Sequence, residues 1–327
     1  MKSSHHDSCE TIDWGVGDAP LDGPSSVAAI GNFDGVHRGH AKVISAALDS
    51  ARAQGFIASV ITFDPHPREF FRQDDTPFHL ADRQEKDRLI AELGVDRIIH
   101  IRFDDNLRCT DADRFVTSVL SSLDVRALFA GSDFAFGRGR GGDIDTINSL
   151  GAGIGISATA VTLLSDTNSA VISSSRIRAA LQDGEPERAS DMLGHDWAVT
   201  GIVQMGDQRG RTIGFPTANI PLGPLLHPAF GVYAVQIFEA EVDQTYRLLG
   251  NGVANIGIRP TVEDRGVLCE AHLFDQQPDL YGRRLAICLK SFIRAERKFT
   301  GIDELTTQIA KDARAARAIL PPIKQTA

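Results

Sequence analysis

The sequence predicts an α/β domain with a parallel sheet, followed by a small antiparallel β-barrel and a C-terminal helix. Its 327 residues exceed the usual length of a single domain, so two domains are expected. In the first half, strand-like apolar runs alternate with amphipathic helical segments, as in a sheet with helices on both faces. After about residue 186, short β-rich runs lie between Gly, Pro and Asp turns, which is typical of a barrel.

The first half begins with a polar segment. Residues 1–24 are rich in Gly, Pro, Asp and Ser, and we expect a mobile extension there. A strand at 27–31 then leads into a helix with one apolar face, formed by Val43, Ile44, Ala47, Leu48 and Ala51. Further strands are predicted at 57–63, 97–101, 126–130 and 155–164, and further helices at 83–93, 111–123 and 173–182. The first domain is therefore predicted at 25–185.

The second domain is predicted at 186–327. Its strands are expected at 197–203, 231–239, 247–256, 268–274 and 284–292. A last helix at 303–320 carries an apolar face formed by Leu305, Ile309, Ala313, Ala316 and Leu320. This face is expected to pack against the barrel.

Composition restricts the class of protein. A net charge of −9 argues against a general nucleic-acid binder, which would need a basic excess. The four cysteines are scattered without a CxxC pair, which indicates reduced thiols and a cytoplasmic protein. No apolar run reaches the ~20 residues of a membrane helix, and the first ten residues lack the apolar core of a signal peptide. We expect no membrane partner, and the oligomeric state cannot be read from the sequence.

The first chemical motif lies between the first strand and the first helix, where α/β sheets bind ligands. It reads Gly31-Asn-Phe-Asp-Gly-Val-His37-Arg-Gly-His40. His37 and His40 are three residues apart at a helix start, so both imidazoles can face one phosphate chain and stabilise departing pyrophosphate. Two histidines beside a turn can equally be capping or surface residues, and the pair alone does not decide between these interpretations.

A second anion-directed motif opens the helix predicted at 173–182. The stretch Ile172-Ser-Ser-Ser-Arg-Ile-Arg178 offers three hydroxyls and two guanidinium groups. Arg176 and Arg178 cannot face the same way on that helix, so one of them is expected to be structural.

The second domain needs a different phosphate site, because no GxxxxGK[ST] motif and no protein-kinase signature occurs in the chain. The best candidate reads Gly210-Arg-Thr-Ile-Gly-Phe-Pro-Thr-Ala-Asn219. On an extended segment Thr217 and Asn219 share one side, so both can point at a magnesium–phosphate cluster. A generic Gly-Pro turn is the alternative for this segment taken alone.

These motifs closely resemble those of a known family. The histidine and serine motifs resemble the HxGH and Ser-Ser-Thr-x-Ile-Arg motifs of nucleotidyltransferases. The long form at 31–40, with the stretches at 62–71 and 131–137, resembles the FMN adenylyltransferase half of bacterial bifunctional flavokinase/FAD synthetases. The segment at 210–219 resembles the PTAN motif of riboflavin kinases. The stretches at 231–235, 254–261 and 279–282 also resemble riboflavin kinase sequences and follow in the same order. The resemblance runs from about residue 27 to the C-terminus.

The resemblance implies a role for each matching residue. In the adenylyltransferase half, the resemblance implies that the catalytic residues are His37, His40 and Arg178. The implied ATP contacts are Gly31, Asn32, Phe33, Ser174 and Ser175. The implied flavin contacts are Asp64, His66 and Asp133. Ser175 stands where the family usually has threonine, and the hydroxyl is kept. In the kinase half, the resemblance implies that Glu270 is the general base. The implied ATP contacts are Gly210, Arg211, Gly214 and Thr217, and the implied Mg²⁺ ligands are Thr217 and Asn219. Arg294 is implied to close over flavin or nucleotide.

The implied function is flavin cofactor synthesis. Riboflavin would be phosphorylated to FMN and FMN adenylylated to FAD, with ATP as co-substrate and Mg²⁺ as cofactor. Three alternatives are a chain with only the kinase active, another nucleotidyltransferase, and a non-enzymatic flavin-binding module. A dinucleotide oxidoreductase is set aside, because the glycines at 137–142 lack the strand–turn–helix context of a Rossmann fingerprint.

Overall fold

The computed structural model describes residues 9–72, 74, 76–205, 215–243, 245–258 and 266–323. The chain divides into two compact units. The first comprises Met1–Asp75 and Lys86–Ile172, and the second comprises Thr76–Glu85 and Ser173–Ala327.

The first unit is built on a six-stranded sheet whose neighbouring strands all run parallel, as predicted. The strands are β1 (Glu10–Trp14), β2 (Ser26–Ile30), β3 (Ile57–Asp64), β4 (Arg97–Arg102), β5 (Val125–Gly131) and β6 (Ser157–Val161), in the order β1-β4-β3-β2-β5-β6. The helices are α1 (Arg38–Gln54), α2 (Pro67–Phe71), α3 (Arg83–Ala91), α4 (Asp105–Arg108), α5 (Ala112–Arg114) and α6 (Ile144–Gly151). A π-helical turn, Phe115–Leu120, continues α5.

Both faces of this sheet are buried, because successive side chains of each strand point to opposite sides. Val27 and Ala29 of β2 pack with the apolar face of α1 in one core cluster. Ala28 and Ile30 pack on the other side, in a cluster that includes Phe115 of the π-helical turn. The five apolar positions predicted for α1 are its buried residues.

Residues 10–14 depart from the expected mobile extension. They form the edge strand β1, which pairs in parallel with β4. Trp14 anchors the strand, since its ring is buried in the core and its Nε1 donates to the Ala19 carbonyl at 3.0 Å. Glu10, Thr11 and Asp13 lower the mean hydropathy of the segment, and composition alone therefore mispredicts it.

The second unit is a six-stranded antiparallel barrel, as predicted. Its strands are β7 (Ala198–Ile202), β8 (Ala218–Pro221), β9 (Gly231–Ala240), β10 (Tyr246–Ile258), β11 (Val267–Leu273) and β12 (Arg284–Ala295), in the order β7-β12-β9-β10-β11-β8. A backbone bond from Gln204 N to Asn219 O, 2.8 Å long, links the segment that follows β7 to β8, the strand at the other end of the sheet order. The described residues of the unit also include the helices α7 (Ser174–Gln182), α8 (Pro186–Leu193) and α9 (Ile302–Ile319).

The last helix covers one side of the barrel. Ala316 of α9 and the following Leu320 pack with Val232 and Ala234 of β9 and with Val253 of β10. This contact agrees with the apolar face predicted at 303–320. It also identifies the outer face of these strands, because the side chains at alternate positions point into the barrel.

The segment Thr76–Glu85 belongs to the second unit, although it follows α2 in the first half of the chain and ends within the first turn of α3. The indole Nε1 of Trp197 donates to the Leu80 carbonyl at 2.7 Å. The Asp82 carboxylate accepts bonds from Thr200 Oγ1 at 2.9 Å and from Arg284 Nη2 at 2.6 Å. Chain order cannot reveal such an excursion, and the boundary between residues 185 and 186 stays a prediction.

Candidate functional sites

Three neighbouring strands of the first unit bring predicted site residues to one edge of the sheet. Asn32 follows β2, Asp64 ends β3, and Asp133 follows β5. Because β3 and β5 both pair in parallel with β2, their carboxyl ends meet at the same edge. Ligands of open α/β sheets bind at this edge. The structure therefore brings the predicted nucleotide and flavin residues of this half together.

The loop between β2 and α1 has an unusual backbone. Phe33 and Val36 adopt left-handed φ angles of 50° and 40°, and Gly35 lies between them at 77°. For residues with a side chain, this conformation costs about 1–3 kcal/mol each and needs support from its surroundings. Phe33 is only 1% exposed and Val36 is buried, and Val36 N donates to the Phe33 carbonyl at 3.1 Å. Core packing thus holds the loop in one shape.

The two predicted histidines stack on each other at the start of α1. His37 is the N-cap, and its Nδ1 accepts the backbone N–H of His40 at 3.2 Å. Nδ1 is therefore unprotonated, so a proton on Nε2 is available for donation. The two ring centroids are 3.5 Å apart, and the edge of Phe33 packs against His40 at 5.3 Å. The pair presents imidazole donors at a helix N-terminus, where anions are favoured.

Gly39 separates the histidines and has a steric reason to be glycine. A Cβ at this position would lie 3.1 Å from both Cε1 and Nδ1 of the His37 ring. That spacing is shorter than ordinary van der Waals contact, so the ring would have to move. The middle glycine of the HxGH motif thus leaves room for the stacked pair.

The loop after β3 carries two further predicted residues. The Asp64 carbonyl accepts the backbone N–H of Phe103 at 2.9 Å. His66 caps α2, and its Nδ1 accepts the Arg68 N–H at 3.0 Å. On the β5 side, the Asp133 carboxylate folds over Gly131, where a Cβ would lie 2.8 Å from Oδ1.

A cluster of phenylalanines beside this loop was missed by the sequence analysis. Phe63, Phe70, Phe71 and Phe103 meet edge to face, with ring centroids 5.3–6.0 Å apart. Phe71 is 61% exposed, which is unusual for a large apolar side chain in a cluster. The signal was present in the paired phenylalanines that end the 62–71 stretch. Phe103 follows the neighbouring strand β4.

The serine motif begins α7 and belongs to the second unit. Ser173 is the N-cap and accepts the Arg176 N–H at 3.4 Å; Ser174 is half-buried and Ser175 is exposed.

Arg178 is the buried arginine of the two, at 9% exposure. Its Nε donates to the Phe78 carbonyl at 2.8 Å, and the guanidinium lies over the Phe78 ring at 5.4 Å. These two contacts orient the guanidinium of Arg178. Ile172, the last residue of the first unit, has its carbonyl oxygen 3.9 Å from the position of a Cβ on Gly39. That the serine motif completes the histidine site stays a prediction.

The predicted kinase residues form a row across three strands of the barrel. Asn219 of β8 lies directly opposite Glu270 of β11, which in turn lies opposite Asn255 of β10. Residues in register on neighbouring strands share a face, so the three side chains are adjacent. Asn255 and Val253 are two residues apart on β10, which puts the row on the outer face that α9 partly covers. Asn255 is an addition to the predicted set.

Asn219 is the most buried member of the row, at 6% exposure. Its Nδ2 donates to the Thr217 carbonyl at 3.3 Å. Its Oδ1 is buried and accepts no hydrogen bond from the residues that the structure describes. Glu270 Oε1 is also buried. Gly210, Arg211 and Gly214 lie outside the described residues.

A second carboxylate, Glu296, stands beside the row. Asn255 Nδ2 donates to Glu296 Oε1 at 3.3 Å. A Cβ on Gly257 would overlap the Glu296 carboxylate, so glycine leaves the space that this side chain occupies. In the described part of the chain, no group of three or more His, Cys, Asp or Glu side chains could hold a metal ion.

Arg294 is held by the last helix. Its Nε and Nη2 donate to the Asp312 carboxylate at 3.0 and 2.7 Å, and its Nη1 donates to the Ala295 carbonyl at 3.0 Å. The pair fastens α9 to β12. A contact between Arg294 and bound flavin stays a prediction.

Two family models match this chain, one for each half. The model described as FAD synthetase matches residues 20–176, and the model described as riboflavin kinase matches residues 193–320. Together they include the site residues described above except Arg178, which lies between the two matched ranges.

Curated bacterial proteins match along almost the whole chain. The bifunctional riboflavin kinase/FMN adenylyltransferase of Escherichia coli strain K12 is 40% identical over 304 residues, covering 91% of this chain and 93% of that protein. The protein of the same name from Bacillus subtilis strain 168 is 40% identical over 298 residues, covering 89% and 91%.

A crystal structure of a Streptococcus pneumoniae protein named as a macrolide-efflux protein aligns with a TM-score of 0.79 at 28% identity, covering 94% of this chain and 98% of that one. That name refers to drug efflux, whereas the family models and the curated relatives refer to flavin nucleotides. The structural match therefore contributes the fold. Among the described residues, no helix has the length and apolar character needed to cross a bilayer.

Proposed function

This chain belongs to the bifunctional riboflavin kinase/FMN adenylyltransferase family, and from that membership we propose how its two sites divide the synthesis of FMN and FAD. It is an enzyme with a riboflavin kinase domain and an FMN adenylyltransferase domain. One observation carries the division of labour: a stacked histidine pair at a parallel-sheet edge and a carboxamide–carboxylate row on a barrel lie in different compact units. The proposed extents of the two domains are 25–185 and 186–327, and the strand β1 at Glu10–Trp14 joins the first of them.

In the kinase domain, Glu270 acts as the general base. Its carboxylate accepts the proton of the terminal ribityl hydroxyl, whose oxygen then attacks the γ-phosphorus of ATP; FMN forms and ADP leaves. The neighbouring carboxamides of Asn219 and Asn255 support this role, because they limit the directions in which Glu270 can point. Gly210, Arg211, Gly214 and Thr217 contact ATP in this proposal, and Arg294 contributes to the flavin end.

Thr217 and Asn219 are the residues proposed to hold Mg²⁺. The buried Asn219 Oδ1, which has no hydrogen-bond donor among the described residues, fits a hard cation that prefers oxygen ligands. Bound Mg²⁺ would neutralise phosphate charge during transfer. Asn219 Nδ2 donates to the Thr217 carbonyl, and this bond fixes the orientation of the carboxamide.

In the adenylyltransferase domain, a phosphate oxygen of FMN attacks the α-phosphorus of a second ATP, and pyrophosphate leaves. His37 and His40 donate hydrogen bonds to the phosphates, and the stacked geometry fixes where those donors stand. Ser174, Ser175 and Arg178 are proposed to join them, as the resemblance of the serine motif to that of nucleotidyltransferases implies.

The same sheet edge is proposed to receive the flavin and the adenosine. Gly31, Asn32 and Phe33 contact the nucleotide, and Asp64, His66 and Asp133 contact the flavin. The phenylalanine cluster supports this arrangement, because an isoalloxazine ring needs an apolar surface and Phe71 offers one.

A product assay tests the proposal. Wild type, His40→Ala and Glu270→Gln would each be given riboflavin with ATP, and separately FMN with ATP, and the flavins separated by chromatography. We expect FMN without FAD from the histidine variant. The glutamate variant should leave riboflavin unused and still convert FMN to FAD. Glu187→Ala, at an exposed glutamate of α8, is the matched control and should keep both activities. If either site variant lost both conversions while folded, the division of labour would be wrong.

A further inference from the structure

A buried hydroxyl links the ATP loop to a lysine on α3. Thr62 is 0% exposed and lies near the carboxyl end of β3. Its Oγ1 donates to the Asn32 carbonyl at 3.1 Å and accepts from Lys86 Nζ at 3.2 Å. The hydroxyl therefore donates its one proton to the loop that contains Asn32 and accepts a hydrogen bond from the Lys86 ammonium through one of its lone pairs. All three residues belong to the first unit.

The loop that receives this bond needs support. Asn32 directly precedes Phe33, the first of the two residues with left-handed backbone, and the loop ends at His37, the helix cap. Packing holds the two apolar side chains, but the carbonyl of Asn32 is oriented by a hydrogen bond. A cation that donates to the hydroxyl polarises it, which strengthens the bond that the hydroxyl donates in turn.

The lysine stands on an element that is fixed to the sheet. Asp87, the next residue of α3, meets His100 of β4 through an Oδ1–Nε2 contact of 2.9 Å, and His100 is fully buried. His100 also lies opposite Thr62 in the register of β3 and β4. The Asp87–His100 contact and the register of β3 and β4 together therefore set the position of Lys86 relative to Thr62.

We propose that Lys86 and Thr62 are positioning residues of the adenylyltransferase site, which act on the ATP loop through the carbonyl of Asn32. This inference rests on the proposed function of that site. Neither residue is assigned contact with the reacting phosphates. Their effect is on the placement of His37 at the end of the loop, and it should therefore be felt when charge develops on the leaving pyrophosphate rather than when FMN binds.

The test uses four variants of the full chain: Thr62→Val, Thr62→Ser, Lys86→Met and the double variant Thr62→Val/Lys86→Met. Valine keeps the shape of threonine and removes the hydroxyl, while serine keeps the hydroxyl. Steady-state kinetics of FMN adenylylation would be measured for each, with riboflavin phosphorylation by the same chain and urea unfolding as internal controls.

For Thr62→Val we expect a loss of about tenfold in kcat for FAD formation, which corresponds to about 1.4 kcal/mol, with the KM for FMN unchanged. The kcat of Thr62→Ser for FAD formation should stay within about twofold of wild type. The kcat of Lys86→Met should fall less than that of Thr62→Val, because loss of the lysine removes one hydrogen bond whereas loss of the hydroxyl removes both. The double variant should match Thr62→Val, since the lysine acts only through the hydroxyl. Phosphorylation of riboflavin should not change.

Several results would overturn the inference. One is wild-type adenylylation by Thr62→Val, and another is an equal loss in Thr62→Ser. A further loss on adding Lys86→Met to Thr62→Val would mean that the lysine acts directly on substrate. Parallel losses of stability and of both activities would mean a purely structural role. A wild-type chain that made no FAD from FMN and ATP would instead refute the proposed function, so the two failures are distinguishable.

Discussion

Replacing Gly39 by alanine should separate stability from activity in the first unit. The added Cβ would lie 3.1 Å from Cε1 and Nδ1 of His37, so the ring must shift by a few tenths of an ångström. Nδ1 is the atom that accepts the His40 N–H at 3.2 Å, and the two rings are stacked, so the shift disturbs both imidazoles. A misplacement of ~1 Å can cost about a hundredfold in rate, and we therefore expect FAD formation to fall by about tenfold.

The same substitution should leave the fold as stable as before or more so. Gly39 is the second residue of α1, and alanine is favoured over glycine within a helix by about 0.5–1 kcal/mol. Weakening of the His37 cap offsets part of this gain. Urea unfolding should thus give an unchanged or slightly higher free energy of unfolding while the adenylylation rate drops.

Gly55→Ala is the matched control, because it should lower the free energy of unfolding and leave the rate of FAD formation unchanged. Gly55 caps the other end of α1 at a left-handed φ of 73°, and no atom of the described residues lies within 4 Å of the position that an alanine Cβ would take there. Alanine should cost roughly 1 kcal/mol of stability and leave FAD formation by the folded protein unaltered. If Gly39→Ala made FAD at the wild-type rate, the stacked histidines would not be the groups that position the phosphates.

Three further outcomes are expected. Gly257→Ala should displace Glu296 and lower riboflavin phosphorylation by several-fold, with FMN adenylylation as the control; an unchanged kinase rate would remove Glu296 from the site. Asp312→Ala should destabilise the second unit by at most about 3 kcal/mol in urea unfolding, since it breaks a largely buried ion pair, and a change below about 0.5 kcal/mol would contradict that. Burial raises the pKa of the Cys9 thiol to about 11, so at pH 8 only ~0.1% of this thiol is thiolate. Iodoacetamide should therefore modify the exposed Cys109 before Cys9. Equal labelling of the two cysteines in mass spectrometry would contradict this expectation.

The sequence predicts those parts of the molecule that depend on neighbours along the chain. The apolar face of α1 and the alternation of strand and helix both follow from periods of two or 3.6 residues. The edge occupied by Asn32, Asp64 and Asp133 was predictable too, because parallel strands carry their following loops to one side.

Contacts between residues that are far apart in the sequence could not be predicted from such local patterns. The bond from Arg178 to the Phe78 carbonyl joins positions 100 residues apart, and its geometry depends on how a whole segment packs. Asn255 joined the kinase row only once the register of β10 and β11 was known, because a shift of one residue would move it to the other face. β8 was predicted as an extended segment and not as a strand of the barrel, because it has only four residues and ends at a proline.

The excursion of residues 76–85 bears on how the enzyme can be dissected. A fragment that starts at residue 186 would keep Trp197, Thr200 and Arg284 but discard the acceptors that Leu80 and Asp82 provide. Each orphaned donor that stays buried costs about 1–3 kcal/mol. Anyone expressing the barrel alone should therefore supply this decapeptide, as a graft or an added peptide, and expect it to raise the melting temperature of the fragment.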